Sequence, residues 1–184
     1  MMDNYAIGFL ELNSIAKGYE VADAVLKAAD IRLIFAKESC PGKYIILFCG
    51  QVASVNASLK AGTSIAGHLL VDMLLIPKLH TQVLQAIWQT STPVAGGSLG
   101  VMEFFCIAAA VSAADRAVKA ADISLLSIRL GIGIGGKSFV TLTGDVAAVK
   151  EAVEAGVSGE NVSEMLVGSS VITSPSPELL ENLY

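Results

Sequence analysis

Apolar and polar positions change period along the chain in a fixed order. Ala6 to Leu12 is an almost unbroken apolar run, which predicts a central β-strand. Ile15, Tyr19, Ala22, Leu26 and Ala29 then recur at helical spacing, so a helix is expected from an N-cap at Asn13 to about Ala29. Ile31–Lys37 and Tyr44–Cys49 read as two strands of a hairpin around the turn Cys40-Pro41-Gly42. Gln51 to Gly62 returns to helical spacing, with Val52, Val55 and Leu59 on one face and Gly62 suited to the C-cap. His68–Ile76 reads as a fourth strand, and Pro77 as the start of a last helix through Leu79, Val83, Leu84 and Ile87. The order β-α-β-β-α-β with a trailing helix is the split-βαβ, ferredoxin-like pattern. It belongs to the α+β class, an antiparallel sheet with helices on one side.

The pattern then starts again. Ile7–Ile31 aligns with Leu99–Ile123 at an offset of 92, with eleven of 25 positions identical, including Glu11/Glu103, Asp23/Asp115 and Lys27/Lys119. Gly42–Gly62 aligns with Gly136–Gly156 at an offset of 94, with eight of 21 identical. Shared Ala, Val and Gly content alone does not place charged residues in register, so the chain is a tandem repeat. Two residues are gained between the blocks, before Gly136. The second copy predicts elements at Leu99–Phe105, Ser112–Ala121, Ile123–Leu130, Ser138–Thr143, Val146–Ala155, Leu166–Ile172 and Glu178–Leu183. Thr90 to Ser98 is uncharged and rich in Ser, Thr, Pro and Gly, which predicts domains at 3–90 and 99–184 joined by a linker at 91–98.

Composition narrows the class. With 184 residues, 53% of them hydrophobic, the chain can bury a core without disulfides or a structural metal. Only 16% are charged, and a surface that poor in charge at this hydrophobicity fits one covered by partners. A net charge of −5 argues against nucleic-acid binding, which needs a basic face. The longest candidate for a membrane span, Tyr44–Leu59, is interrupted by Gly50, Gln51 and Asn56. Met1-Met2-Asp3-Asn4 lacks the basic start and apolar block of a signal peptide.

Candidate chemistry is sparse. Gly131-Ile-Gly-Ile-Gly-Gly136-Lys137-Ser138 matches G-x-x-x-x-G-K-[ST], but a phosphate-binding loop must open a helix. Here Phe139–Thr143 alternates like a strand, so the segment reads as a glycine-rich hairpin loop. His68 and His80 lie in different elements without a nucleophile nearby, and no triad or carboxylate pair assembles, so no enzyme is expected. Of three cysteines, Cys49 and Cys106 follow aromatic residues and read as core thiols. Cys40 stands at a turn tip between Ser39 and Pro41, away from apolar neighbours. One cysteine per chain holds a metal only where a symmetric oligomer repeats it around an axis.

The segments Ala6-Ile-Gly-Phe-Leu-Glu-Leu12, Ala22-Asp-Ala-Val-Leu-Lys-Ala-Ala-Asp-Ile31, Gly50-Gln-Val-Ala-Ser-Val55 and Ile76-Pro77 resemble the bacterial microcompartment (BMC) shell proteins. So do Leu99-Gly-Val-Met-Glu103, Ala114–Ile123 and Gly144–Val149 in the second copy. The resemblance spans nearly the whole chain and is of the unpermuted tandem type. It implies a homotrimer whose six BMC domains form a flat pseudo-hexameric tile in a shell in the bacterial cytoplasm. It implies other shell proteins at the tile edges, through Lys27, Lys119 and Lys78. Ser14–Gly18, Cys40-Pro-Gly-Lys43 and Asp115–Ala120 further resemble members from propanediol-utilisation shells. That likeness implies a 4Fe–4S cluster on the three-fold axis, bound by Cys40 of each chain. Ser39, Pro41, Gly42 and Lys43 would then form the axis loop, electrons would cross the shell, and a redox partner would wait inside. Lys43 would favour the thiolate electrostatically. The alternative is a plain tile with a central metabolite pore. Where the family often carries an arginine after Ile-Pro, this chain has Lys78, and Ile172-Thr-Ser-Pro-Ser176 has no basic residue.

Overall fold

A computed structural model describes residues 6–91 and 97–183. The expected linker at 91–98 falls largely on residues 92–96, outside those described, as does the N-terminal Met1–Asn4.

The first sheet contains β1 (Ala6–Leu12), β2 (Ile31–Ser39), β3 (Lys43–Gly50) and β4 (Leu70–Ile76) in the order β2-β3-β1-β4. All neighbours are antiparallel. Helices α1 (Ile15–Ala28) and α2 (Val52–Ala66) pack on each other and on this sheet. Alternation along the strands sends Ala6, Leu10 and Leu12 of β1 and Tyr44, Ile46 and Phe48 of β3 into one core with Val21, Val25, Val55 and Leu59 of the helices. Gly18 brings α1 down onto Tyr44; a Cβ there would sit 2.3 Å from the tyrosine ring.

The second sheet repeats the plan. β5 (Ser98–Phe104), β6 (Ser124–Leu130), β7 (Ser138–Gly144) and β8 (Leu166–Ile172) take the order β6-β7-β5-β8. Helices α4 (Ile107–Ala120) and α5 (Val146–Val157) pack together and against it, followed by the short α6 (Glu160–Ser163). Even the irregularities recur: β2 slips register between Leu33 and Phe35, and β6 between Leu125 and Ser127.

Several boundaries differ from the sequence expectation. Ser14, not Asn13, caps α1; its hydroxyl accepts the Lys17 N–H at 3.2 Å, whereas the Asn13 N–H still donates to Leu69 O. Gly62 does not end α2, which runs on to Ala66. Its missing Cβ instead lets α2 approach Leu10 and Val25, 2.6 and 2.8 Å from where a Cβ would lie. The C-cap is Gly67, at φ 53°, where a side chain would be strained. His68 sits in a 3₁₀ turn before β4. Pro77 does not open α3 (Thr81–Ile87); the His80 ring caps it by accepting the Gln82 N–H. The alanine run from Ile107 is already helical, so α4 starts five residues ahead of the expected Ser112. The last helix, α7, is Pro177–Glu181.

By its contacts the chain forms two compact units, Met1–Leu79 with Gly131–Gly136, and His80–Leu130 with Lys137–Tyr184. Helix α3, which trails the first repeat in sequence, therefore belongs to the second unit. The β6–β7 loop belongs to the first. This division falls at Leu79/His80, ahead of the Thr90–Ser98 stretch.

Candidate functional site

Strands β2 and β3 are joined by three residues, Cys40-Pro41-Gly42, with Gly42 at φ 80° and a cis Cys40–Pro41 peptide. Ser39 is buried at the base of the tip, and Cys40 is half-buried with a free thiol. The equivalent connection between β6 and β7 is longer, and the two extra residues of the repeat alignment lie in it. It does not open a helix: Ser138 begins β7, and Lys137 pairs with Glu103 at 3.0 Å. The phosphate-binding match is thus a hairpin loop.

That loop is what the structure brings to Cys40. The Gly133 N–H donates to Cys40 Sγ at 3.5 Å. Gly136, at φ 82°, would place a Cβ 2.8 Å from Cys40 O and 2.9 Å from Pro41 Cδ, so only glycine allows this approach. Sequence reading set the two loops opposite each other by repeat symmetry. It did not foresee that they touch; the signal was the run of glycines itself, four in the six positions 131–136, each at a φ above 60°.

The charge expected beside the thiol is committed elsewhere. Lys43 Nζ lies 2.7 Å from Glu11 Oε1, and the Glu11 side chain is buried with Oε2 unpartnered. The repeat carries the same pair as Glu103–Lys137, but open to solvent. The in-register Glu/Lys identities of the two copies are therefore one structural ion pair made twice.

Cys49 is buried on β3, and burial pushes its thiol up, with Arg32 opposing. Cys106 is buried at the N-cap of α4. Neither joins Cys40. Among the described residues no group of three or more His, Cys, Asp or Glu side chains could hold a metal ion. One chain thus offers one thiol at the tip. A half-exposed sulfur with a backbone N–H aimed at it fits a cluster ligand shared between chains. Pro41 contributes no N–H.

The lysines expected at tile edges occupy matched places. Lys27 closes the last turn of α1 and pairs with Asp23; Lys119 does the same on α4 with Asp115. Lys78 is exposed after β4. No helix among the described residues is long and apolar enough to cross a membrane.

The BMC-domain family matches residues 6–79 and again 98–175. The bacterial microcompartment shell protein PduT of Citrobacter freundii is 42% identical over 170 residues, 92% of each chain. The carboxysome shell protein CsoS1C of Halothiobacillus neapolitanus is 33% identical over 82 residues, covering 42% of this chain and 83% of that one. A solved microcompartment protein from Desulfitobacterium hafniense superposes with a TM-score of 0.87 at 49% identity, covering 97% of this chain and 99% of that one. Two BMC domains in unpermuted order, matched along almost the whole length, make this chain a structural member of the bacterial microcompartment shell protein family.

Proposed function

We propose that the chain works as a homotrimeric shell tile carrying a 4Fe–4S cluster on its three-fold axis, with Cys40 of each copy as a ligand. The observation that carries this reading is the contact between the Cys40 tip and residues 131–136. These are corresponding hairpin turns of successive repeats. If the next copy continues that succession around a ring, every tip converges on the axis, and three Cys40 thiolates meet there. Such a cluster, when bound, supplies one-electron transfer. Three thiolates leave one iron without a ligand from this ring, which suits transfer across the shell to a redox partner inside, or exchange of the cluster.

The chain's own contribution is positioning. The Gly133 N–H bonds the sulfur, and amide donors of this kind tune cluster potential. The Lys43–Glu11 pair fixes the base of the hairpin. Lys27, Lys119 and Lys78 are then the edge residues that meet neighbouring tiles, more weakly on the second repeat, where Ile172–Ser176 has no basic residue.

Anaerobic purification with iron and sulfide analysis and sedimentation on one sample tests this. About four irons per three chains and a brown absorbance are expected. Cys40→Ser should remove both and leave the oligomer intact. A trimer purified without oxygen that holds no iron overturns the cluster and leaves the plain tile with a central pore.

A further inference from the structure

The two repeats differ in what covers them. After the first repeat, α3 is buried in the second unit against β6 and α4: Val83 and Ala86 are fully buried and Leu84 nearly so. Two polar contacts fix it there. The His80 N–H donates to Asp115 Oδ1 at 2.8 Å. The Gln82 side chain spans the outer edge of the sheet, donating to Ile123 O and accepting the Leu125 N–H at 2.9 Å.

After the second repeat, the matching helix has no such seat. No residue of α7 is buried, and Leu179 is exposed. Leu180 borders an open cavity of about 490 Å³ along with Asp145 and Pro177. Ser176 caps α7 as His80 caps α3. The offset that aligns these caps, 96, sets Leu179 and Leu180 on Val83 and Leu84, and Glu178 on Gln82.

Among the described residues the matching face on α1 is exposed, whereas that on α4 is covered. Tyr19, Asp23 and Leu26 of α1 are exposed, whereas their counterparts Val111, Asp115 and Val118 of α4 are buried. The carboxylates show the difference best: the Asp23 side chain is 61% exposed and that of Asp115 8%. Strand β2 is an edge strand like β6, and Ile31 and Leu33 hold the places of Ile123 and Leu125.

We infer that α7 of one chain docks on β2 and α1 of a second copy, repeating between chains the seat that α3 takes on β6 and α4. Leu179 and Leu180 enter the apolar side, the Ser176 N–H donates to the second copy's Asp23, and Glu178 accepts its Leu33 N–H. The contact is heterologous, with different patches on the two partners, so it propagates until a ring closes. It rests on the ring assumed for the shell tile and identifies one of the contacts that close it. One detail departs from the template. A carboxylate at 178 accepts from Leu33 but cannot donate to Ile31 O, as the amide of Gln82 does for Ile123.

The test uses the full chain. Sedimentation of Leu179→Asp/Leu180→Asp should show a dissociation constant raised about a hundredfold or more, since two leucines leave an apolar seat. Its circular dichroism should be unchanged, because neither residue is buried in the chain. Glu178→Gln should tighten association by roughly tenfold. Asp23→Cys/Ser176→Cys should cross-link between copies on oxidation, while each single variant should not. A wild-type chain that sediments as a monomer at every concentration sinks the ring itself. A wild-type ring with unaltered affinity in the double-Asp variant and no cross-link keeps the ring and refutes this contact.

Discussion

The ion pair built twice gives an internal experiment. Lys43–Glu11 and Lys137–Glu103 are the same residues at the same repeat positions, at 2.7 and 3.0 Å. Their surroundings differ: the Glu11 side chain is 1% exposed and that of Glu103 40%. At an effective dielectric of about 20 the first pair attracts by about 6 kcal/mol, against roughly 1.4 kcal/mol for the second at the dielectric of water, before desolvation and ordering costs. Lys43→Met leaves a buried carboxylate with no partner on either oxygen, because Oε2 already has none. That loss is about 3–5 kcal/mol. Lys137→Met removes a solvated pair and should cost no more than about 1 kcal/mol. In urea or thermal unfolding, at a concentration low enough to keep the chain monomeric, Lys43→Met should lower Tm by about 10 °C and Lys137→Met by less than about 3 °C. The double variant Glu11→Gln/Lys43→Met should recover much of the loss, since it leaves no charge behind. Equal losses from the two lysine variants would refute the assignment of burial as the deciding term.

Three further outcomes follow from packing and ionisation. Gly18→Ala forces a Cβ onto the Tyr44 ring and should cost about 1–3 kcal/mol by chemical denaturation, while Gly67→Ala, with nothing within 4 Å, should cost only about 1 kcal/mol through its positive φ. Stability should fall above the ordinary thiol value of 9.0, because burial raises Cys49 and the folded chain favours the neutral thiol. The contribution is complete below that value and is lost as pH rises through the raised one, with Tyr44, raised by its burial and by Tyr19, adding to the slope higher up; urea unfolding at several alkaline pH values, with and without Cys49→Ala, measures it. A thiol reagent should modify one cysteine, Cys40, in the native chain and three after unfolding, since Cys49 and Cys106 are buried; native labelling of Cys49 would contradict the packing.

Element order and type were legible because each element carries its own period: the continuous apolar run of β1 and the 3.6-residue spacing of α1 leave little choice. Ends were harder, because caps depend on which backbone groups the sheet has already taken. Asn13 looks like a cap, but the helix starts at Ile15 and the Ser14 hydroxyl is the group that accepts the Lys17 N–H. Gly62 and Gly67 both suit a C-cap in sequence, and only the approach of Leu10 and Val25 assigns Gly62 to packing. For the site, Cys40 was legible as the cysteine without an apolar neighbour. The N–H···S contact from Gly133 was not, since it joins positions 93 apart.

The pairing of Lys43 with Glu11 shows why local reasoning about that thiol fails. Three residues of separation put the lysine beside the cysteine in sequence, but successive strand residues alternate faces, and a buried carboxylate is a stronger partner than a half-exposed sulfur. What remains next to Cys40 is backbone from the other repeat. Duplication makes this possible. In a hexamer of single domains every hairpin tip would be identical, whereas two fused copies can keep one ion pair in both while one tip carries cysteine and the other becomes glycine backbone. The tip can approach the cysteine because Gly133 and Gly136, the residues that meet it, have no side chain, and substituting Gly136 would push it away. Gly136→Val should therefore alter the environment of Cys40, seen as faster modification of its thiol, without touching the Glu11–Lys43 pair that fixes the hairpin base.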